Sequence, residues 1–432
     1  MAEPLSWQAE AIAQHIDLLR RRKAVLEASG TGFGKTYVAG FVAKHYGLPV
    51  CVVCPKAVIS AWERAMADCG VEVVFATNYE QVKSKKFQHG RWKIKNRVFE
   101  WNIPANALLI FDEVHRCKTR TSQNSKILIA SMRTPNRVMM MSATVAESPL
   151  HLFSIGGVLG LHNFNDPGPS YWEWIHRNGC KKDGFGMVFH GSAETLHRLN
   201  RQIFPSRGHR VRTQDIVDFP ENKIETLAVD IGNVKKYALL LEKLADLEEK
   251  RENDSLDGGD LTDLLRARQE AELYKAPVMA DLAIELVEEG HSVPIFVNFR
   301  DTLALVEEKL VKAKISVSKI FGGQTASDRE QQRVAFQSDQ TRVIVCMIQA
   351  GGVGIDLHDI TGKHPRVSLV SPGFNAVDLK QALGRSCRAG GQSKTVQRIV
   401  TAAGTIEKRV ENKVKKKLAN IDKINDGDLS LI

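Results

Sequence analysis

The sequence lacks the features of a membrane or secreted protein. No uninterrupted apolar run reaches the ~18–20 residues that a transmembrane helix needs. The opening stretch, MAEPLSWQAE, has no basic segment followed by an apolar core, so no secretory signal is predicted. We therefore expect an intracellular protein with no membrane partner.

Cysteine is too irregularly spaced for a disulfide framework. The chain has seven cysteines, an odd number that would leave one unpaired. Cys51 and Cys54 form a C-x-x-C pair, which could indicate zinc or redox chemistry. The pair lies inside the apolar run Val50–Cys54, where its odd separation directs the two thiols to opposite faces of a strand. No second Cys/His pair at metal spacing accompanies it, so we interpret both cysteines as core residues.

Short-period repeats and long low-complexity tracts are also absent, and short apolar runs alternate with amphipathic helical patterns. This alternation is typical of parallel α/β sheets. At roughly 100–200 residues per domain, 432 residues suggest two or three domains. We predict one α/β lobe over residues 1–150, a connecting aromatic and helical segment over 151–275, and a second α/β lobe over 276–432. The predicted strands are Val50–Cys54, Val71–Ala76, Ala107–Phe111 and Arg137–Met141 in the first lobe, and Pro294–Asn298, Ser316–Phe321, Arg342–Met347, Arg366–Val370 and Val396–Val400 in the second.

A glycine-rich segment of the first lobe, Ser29–Thr36, has the pattern of a phosphate-binding loop. It departs from the form Gly-x4-Gly-Lys-Ser/Thr only at Ser29. In such loops backbone N–H groups surround a polyphosphate, the lysine reaches its β- and γ-phosphates, and the hydroxyl ligates Mg²⁺. A flexible turn is the alternative, but the helical pattern from Val38 to Tyr46 and a downstream acidic pair favour the phosphate loop.

That acidic pair, Asp112 and Glu113, directly follows an apolar run. The carboxyl end of a strand lies at the ligand-binding edge of an open α/β sheet. With a phosphate loop upstream, we predict that Asp112 holds Mg²⁺ through its water shell. Glu113 would orient and deprotonate the water that attacks the γ-phosphate of ATP. Without the loop, a solvated acidic pair would be the better interpretation.

The second lobe carries a glycine cluster, Gly351–Asp356, and two arginines, Arg385 and Arg388. The arginines are three residues apart, which predicts that they share one helical face. Two guanidinium groups on one face suit a triphosphate, and an arginine finger stabilises the charge that develops in phosphoryl transfer. A basic surface helix is the alternative, and the upstream nucleotide site disfavours it.

The basic charge indicates a polyanionic partner. The formal net charge is +10. The segment Lys83–Arg97 has seven Lys/Arg and no acidic residue, with Phe87 and Trp92 interleaved. Such side chains can neutralise phosphates and stack on bases, although a solvated hairpin would show the same composition. The basic stretch Lys408–Lys417 is weaker support, because it fits the polar face of a final helix.

Taken in order, these motifs resemble those of superfamily 2 helicases, and among them the Swi/Snf-type ATPases, over nearly the whole chain. Val114 in place of alanine and Cys387 in place of histidine are departures from the Swi/Snf pattern. The matching segments are Trp7-Gln8 for the adenine-reading glutamine, Ser29–Thr36 for motif I, Cys54–Trp62 for Ia, Thr77–Glu80 for Ib, Asp112–His115 for II, Ser142–Thr144 for III, Phe296–Phe299 for IV, Ala350–Leu357 for V, Gln381–Arg388 for VI, and Gly404–Glu407 for the turn that opens the last helix.

The resemblance implies an α/β fold of two tandem RecA-like parallel-sheet lobes, with the ATP site in the cleft between them, and it implies ATP and Mg²⁺ as cofactors. The implied catalytic residues are Lys35, Asp112, Glu113, Arg385 and Arg388. Thr36 and Asp112 would bind the metal. The implied nucleotide contacts are Gln8, Gly30, Thr31, Gly32, Gly34, Lys35, Thr36, Gly354, Asp356 and Gln381. Coupling of hydrolysis to movement would involve His115, Ser142, Ala143 and Thr144. The expected nucleic-acid contacts are Pro55, Lys56, Thr77, Asn78, Lys85, Lys86, Arg91, Trp92, Lys93, Asn298, Gly351 and Gly352.

We therefore expect a monomeric ATP-dependent translocase that moves on duplex DNA and remodels forked or branched DNA in branch migration, repair or recombination. Its compactness suggests a phage or other mobile element, hence a bacterial or host-cell cytoplasm, and otherwise the nucleus. One alternative is a strand-separating DNA or RNA helicase, with the Phe87/Trp92 hairpin or the Tyr171–Trp174 loop as its wedge. A non-catalytic nucleic-acid-binding scaffold is the alternative of another class.

Overall fold

The computed structural model describes residues 3–93, 98–164, 170–183, 186–212, 215–216, 219–231, 235, 239–240, 242–244, 246–247, 258–348, 355–372, 376–388 and 390–402. These residues divide into two compact units, one up to residue 216 and the other from residue 219. Each unit contains a six-stranded parallel sheet. The two sheets confirm the prediction of two α/β lobes.

The strands and helices are numbered here in chain order. The strands are β1 (Ala24–Glu27), β2 (Val50–Cys54), β3 (Val73–Asn78), β4 (Gly90–Lys93), β5 (Val98–Trp101), β6 (Leu108–Asp112), β7 (Arg137–Met141), β8 (Cys180–Asp183), β9 (Gly186–Phe189), β10 (Gly208–His209), β11 (Asn222–Val229), β12 (Val293–Val297), β13 (Val317–Ile320), β14 (Val343–Met347), β15 (Arg366–Val370) and β16 (Thr395–Ala402). The helices are α1 (Ser6–Arg21), α2 (Lys35–Tyr46), α3 (Ile59–Cys69), α4 (Tyr79–Lys83), α5 (Gln123–Ala130), α6 (Phe153–Val158), α7 (Tyr171–Arg177), α8 (Ala193–Ile203), α9 (Gly258–Glu288), α10 (Arg300–Lys312), α11 (Ala326–Gln337) and α12 (Ala376–Leu383).

The first sheet has the strand order β10-β1-β7-β6-β2-β3. Its inner strands are buried on both faces, as expected for continuous apolar runs in a parallel sheet. Successive side chains alternate between two apolar clusters, so Cys51 packs into one cluster and Cys54 into the other. The interpretation of this pair as core cysteines on opposite faces is confirmed.

The second sheet has the order β11-β16-β15-β12-β14-β13. Strands β11 and β16 pair over eight residues, from Asn222↔Thr395 to Val229↔Ala402. The predicted strand positions in this unit are confirmed to within one or two residues. Among the strands described in this unit, only β11 was not predicted, because its residues are mostly exposed or half-buried and mix charged with apolar side chains.

The segment predicted as a connector over residues 151–275 contributes to both units. It supplies β10 to the first sheet and β11 to the second, and its hairpin β8–β9 forms a separate two-stranded sheet. Tyr171 and Trp174 of α7 lie in the apolar core of the first unit. Within this segment, residues 251–257 lie outside the described residues, and α9 begins at Gly258.

Within the described residues, none of the helices has both the length and the apolar character required to cross a membrane.

A buried arginine provides a test of the packing in the second unit. Arg366 is fully buried, its Nη1 donates to Oδ1 of Asp339 at 2.9 Å, and its guanidinium lies over the Phe336 ring at 4.8 Å. Arg366→Met should lower the free energy of unfolding of this unit by about 3–5 kcal/mol, because it leaves a largely buried carboxylate without its cation. All six tryptophans lie in the first unit, so tryptophan fluorescence would not report on unfolding of the second unit. Amide hydrogen exchange at β12 and β14 should therefore measure the effect. The exposed Lys363→Met is the matched control, and equal protection in both variants would contradict the prediction.

Candidate functional site

The phosphate-binding loop joins β1 to α2, and its backbone needs two of its glycines. Gly32 and Gly34 have φ angles of 84° and 72°, in the left-handed region that a side chain disfavours. A Cβ on Gly34 would also meet Nε2 of Gln8 at 2.4 Å. The α2 helix starts at Lys35, so its N-terminus faces the loop, where it favours an anion.

Lys35 lies across the loop. Its Nζ donates to the carbonyl oxygens of Ser29 at 2.9 Å and Gly30 at 2.8 Å. Burial lowers the pKa of Lys35, and the negative charges of Glu113, Glu27 and Asp112 oppose that shift. Phosphate oxygens could replace the two carbonyl acceptors without leaving the ammonium group unpaired.

Gln8 connects α1 to the same loop. Its Nε2 donates to the carbonyl oxygens of Phe33 at 3.3 Å and Gly34 at 3.4 Å, while its Oε1 accepts from the Leu5 N–H at 2.9 Å. The side chain is buried, with an exposed fraction of 3%. The structure thus brings Gln8 to the phosphate loop, and its predicted contact with adenine stays a prediction.

Asp112 ends β6 and is held by two donors. Trp62 Nε1 donates to one carboxylate oxygen at 2.9 Å and the Glu113 N–H to the other at 2.9 Å. Burial and the neighbouring Glu113 charge raise the pKa of Asp112 to about 6. Sequence reasoning gave Trp62 no role here, although its place in motif Ia was a usable signal.

Glu113, His115 and Ser142 form a hydrogen-bonded group that joins motifs II and III. His115 Nδ1 lies 3.1 Å from Ser142 Oγ and 3.2 Å from Glu113 Oε2. Ser142 Oγ in turn accepts from the Thr144 N–H at 3.2 Å. Glu113 has a φ of 50°, the left-handed turn that directs the chain away from β6. Two of the predicted coupling residues, His115 and Ser142, are therefore in contact with the predicted catalytic glutamate.

Residues after β10 complete the loop, and sequence reasoning missed them. The Val211 N–H donates to Ser29 Oγ at 2.9 Å, and its carbonyl accepts from the Gly30 N–H at 3.3 Å. Arg210 Nη1 donates to the carbonyl oxygens of Ala28 and Ala143, the latter at 3.4 Å. A strand of two residues has no periodicity that a sequence pattern could reveal.

An open groove lies at the carboxyl ends of β2 and β3. Cys54 and Asn78 are register partners there, so the segments after both strands are adjacent. Thr77 is largely buried, and Asn78 Oδ1 caps α4 by accepting from the N–H groups of Glu80 and Gln81. The residues that line the groove include Pro55, Lys56, Asn78, Ser84, Lys86 and Arg116. Of these, exposed Arg116 was not predicted, and Lys85 is exposed beside the groove.

The basic hairpin β4–β5 is less cationic than its sequence indicates. Antiparallel pairing places Glu100 opposite Arg91, and Glu100 lies 2.6 Å from Lys93 Nζ and 3.8 Å from Arg91 Nε. Trp92 is half-buried and packs against Phe99 at 5.1 Å. The segment Lys83–Arg97 contains no acidic residue because Glu100 follows it in the sequence. In the two-stranded sheet, however, Glu100 lies opposite this segment.

The prediction that Arg385 and Arg388 share a helical face is wrong. Helix α12 ends at Leu383, Arg385 lies in the turn that follows, and Arg388 lies in the irregular segment after that turn. Arg388 Nη1 pairs with Asp356 Oδ1 at 2.5 Å, and the Leu357 N–H donates to the Arg385 carbonyl at 3.0 Å. The end of motif V thus contacts motif VI directly. Glycine is a poor helix residue, which explains why the helix stops.

The structure describes some of the remaining predicted residues of the second unit and leaves others outside its described ranges. Gln381 is buried on α12. Asn298 follows β12 and is held by Glu272 of α9, whose carboxylate accepts from the Asn298 N–H at 2.7 Å and from its Nδ2 at 2.5 Å. Glu272 was missed because it lies outside the motif. Gly351, Gly352, Gly354 and the segments Gly404–Glu407 and Lys408–Lys417 lie outside the described residues.

A phosphate loop followed by an acidic pair at the edge of a parallel sheet defines a P-loop ATPase, and comparison with known proteins identifies the family. Residues 1–147 match the family described as "Type III restriction enzyme, res subunit", and residues 275–390 match "Helicase conserved C-terminal domain". A protein of Acanthamoeba polyphaga mimivirus, provisionally named an ATP-dependent RNA helicase, is 33% identical over 465 residues, which cover 99% of this chain and 84% of that protein. The chain therefore belongs to the superfamily 2 helicases and is an ATP-dependent helicase or ATPase.

More distant relatives agree with this assignment. The chromatin remodeling factor mit1 of Schizosaccharomyces pombe is 21% identical over 460 residues, covering 90% of this chain. This chain spans only 31% of that protein's length. The solved structure of S. cerevisiae Dbp5 bound to RNA and ADP BeF3 covers 98% of this chain and 92% of its own, with a TM-score of 0.52 and 11% identity. The fold is thus that of two tandem RecA-like lobes, and the sequence has Swi/Snf-like relatives.

Removal of the Trp62 hydrogen bond should change the pH dependence of ATP hydrolysis. In the role predicted for Asp112 the reactive form is the carboxylate, so kcat/KM, which reports the free enzyme, should fall as the pH drops through about 6. The Trp62 N–H stabilises that carboxylate and lowers its pKa. Trp62→Phe should therefore move the acid limb to higher pH and reduce kcat/KM at pH 6 roughly tenfold. Trp172→Phe, which changes a half-exposed ring, should leave the profile unchanged. An unaltered acid limb in Trp62→Phe would contradict the assignment.

Proposed function

We propose that this motor moves on duplex DNA, grips the backbone without reading sequence, and remodels forked or branched DNA. The observation that carries the proposal is the groove at the ends of β2 and β3, where exposed Lys56, Lys86 and Arg116 can neutralise phosphates. Phosphate contacts position a protein on nucleic acid but carry no sequence information.

The aromatic residues favour a translocase over a strand-separating enzyme. Phe87, Trp92 and Trp101 of the hairpin region pack against the first unit's core instead of standing free to stack on bases. Tyr171 and Trp174 are buried as well. Trp172 is 46% exposed, but the Arg120 guanidinium covers its ring at 5.2 Å. Among the residues that the structure describes, Trp172 is thus the only ring of either predicted wedge that is substantially exposed, and Arg120 lies over it.

The first unit's residues would perform the hydrolysis as follows. Lys35 would exchange its two carbonyl acceptors for phosphate oxygens, and Glu113 would take a proton from the attacking water. The Thr36 hydroxyl and the Asp112 carboxylate supply oxygen atoms, the donor type that Mg²⁺ prefers, so the residues fit this ion. When bound, Mg²⁺ would neutralise charge on the phosphate oxygens. Catalysis by Arg385 and Arg388 rests on the motif resemblance alone, and for Arg388 to act as an arginine finger its pair with Asp356 would have to open and release the guanidinium.

The contact between Glu113, His115 and Ser142 supports the proposed coupling. A change in the charge or position of Glu113 during hydrolysis would alter its contact with His115 at 3.2 Å and that of His115 with Ser142 at 3.1 Å. Ser142 is bonded to Thr144, so the change would reach the segment after β7. Local changes of this kind can bias larger movements.

RNA strand separation is the second candidate, and the name of the mimivirus relative favours it. That viral relative also supports a host-cell cytoplasmic setting. The monomeric state and a role in branch migration, repair or recombination rest on the Swi/Snf-like motifs alone.

Steady-state ATP turnover should separate the two candidates. We expect greatest stimulation by linear duplex, forked or four-way junction DNA, measured against equal nucleotide concentrations of single-stranded DNA and RNA. Glu113→Gln should lose roughly 10³-fold or more in kcat while still binding ATP, because it removes the proton acceptor. Greatest stimulation by RNA or single strands would overturn the duplex proposal, and turnover indifferent to any nucleic acid would overturn both candidates.

Charge removal in the groove should weaken binding to nucleic acid without impairing the ATP site. The triple variant Lys56→Ala, Lys86→Ala, Arg116→Ala should lower DNA affinity roughly tenfold or more at moderate salt and flatten the dependence of log K on log salt. Arg91→Ala with Lys93→Ala is the comparison variant, and these two predicted contacts should matter less because Glu100 already pairs with both side chains. DNA affinity would be measured by fluorescence anisotropy over a salt series. Equal losses of affinity in the triple and double variants would contradict the proposal that the groove binds nucleic acid.

A further inference from the structure

Three buried side chains meet beneath the phosphate loop and take no part in the proposed hydrolysis. They are His15 of α1, Glu27 at the end of β1 and His209 of β10. His15 Nε2 lies 2.7 Å from Glu27 Oε2, and His209 Nδ1 lies 3.7 Å from the same oxygen. One potential ligand atom from each residue lies within 4.8 Å of the others. The three residues are distant in sequence, so the fold has brought this group together.

The burial of this group is unusual for such polar residues. His15 and Glu27 are fully buried, and His209 is 6% exposed. His209 Nδ1 has no hydrogen-bond partner, because 3.7 Å to the carboxylate is too long for one. A buried polar atom without a partner costs about 1–3 kcal/mol. A ligand that accepts electron pairs from both imidazoles and the carboxylate would remove that cost.

The register of the sheet explains the geometry. Glu27 and His209 are cross-strand partners in the β1–β10 pair, so their side chains emerge side by side on one face. Helix α1 packs over that face and adds His15. The Ser29 N–H donates to the other oxygen of Glu27 at 2.8 Å, which fixes the orientation of the carboxylate. Ligands of metal ions are commonly oriented by such a second hydrogen bond.

We propose that His15, Glu27 and His209 bind one divalent transition-metal ion, with Zn²⁺ as the expected occupant. Two imidazoles and one carboxylate form a donor set that suits Zn²⁺ and its neighbours, whereas Mg²⁺ and Ca²⁺ prefer oxygen atoms alone. Zn²⁺ forms bonds of about 2.0–2.2 Å to such ligands, so the 2.7 Å between His15 Nε2 and Glu27 Oε2 would have to widen to admit the ion. Three protein ligands leave a fourth position for water.

The site would link metal occupancy to the phosphate loop. Glu27 lies two residues before Ser29, and Gln8, Glu27, Ser29 and Lys35 line one small cavity. An ion here would tie α1, β1 and β10 together at the point where Val211 bonds to the loop. Metal binding to the folded chain alone stabilises it by mass action. This inference does not depend on which nucleic acid the motor uses.

Metal binding should be measured on the full chain prepared without a polyhistidine tag. We expect about one zinc per chain by elemental analysis after purification without chelator. After chelation, Co²⁺ should bind with 1:1 stoichiometry and show visible absorption of a four- or five-coordinate site without thiolate charge-transfer bands. Zn²⁺ should raise the melting temperature of the chelated protein by several degrees.

His209→Gln and Glu27→Gln should each weaken Zn²⁺ binding at least about 100-fold, since loss of an outer partner alone commonly costs 10–100-fold. His190→Gln, which changes an exposed imidazole, should bind metal as the wild type does. Circular dichroism would show whether each variant is folded, and the wild-type stoichiometry decides the question even if one variant is not. Absence of saturable 1:1 binding in the wild type, or full binding in both His209→Gln and Glu27→Gln, would overturn the proposal.

Discussion

The parallel register of the strands is the constraint on which both units depend. In the first sheet Glu27 and Asp112 both pair with Met141, and Cys54 pairs with Asn78. Because the strands run in one direction and end together, every segment that follows a strand emerges at the same edge. The phosphate loop, the acidic pair, motif III and the groove are neighbours for this reason. A one-residue slip in any strand would move its motif away from the others.

The same constraint explains how much could be predicted from the sequence. Central strands such as β2 and β7 are short continuous apolar runs, and their bounds were predicted correctly. Motifs II and III follow such runs, so their convergence could be inferred from chain order alone, whereas β1, which precedes motif I, was not among the predicted strands. The position of Asp112 at the strand end, and the contact of His115 with motif III, agree with those inferences.

The features that sequence reasoning missed depend on contacts between distant segments. Strand β10 consists of two residues that are strand only because β1 lies beside them. Glu100 reduces the basic charge of its hairpin through cross-strand pairing. Glu272 holds Asn298 from another helix, and Arg388 turns toward Asp356 where a helical face was predicted. In each case the contacting residue is too distant in the sequence to be part of the motif or periodic pattern on which the prediction was based.

Electrostatic balance also connects the parts of the first unit. Lys35 is surrounded by the carboxylates of Glu27, Asp112 and Glu113, and each opposes the effect of burial on its pKa. Asp112 and Glu113 repel each other, and this repulsion adds to the effect of burial on the pKa of Asp112. A metal-bound triphosphate adds charges of both signs to this group. Binding of the nucleotide and its ion would therefore change the electrostatic environment of all four side chains.

The position of β10 has a consequence for the order of events during synthesis. The β1 strand and the phosphate loop are made early, but their outer neighbour comes only at Gly208–His209. At the ~5–20 residues per second of translation, this interval lasts on the order of 10–40 s. During that time one side of β1 has no backbone partner, and Ser29 and Gly30 lack their bonds to Val211. The nascent chain therefore carries an unfinished nucleotide site, with an unpaired strand edge open to chaperones or to a neighbouring chain.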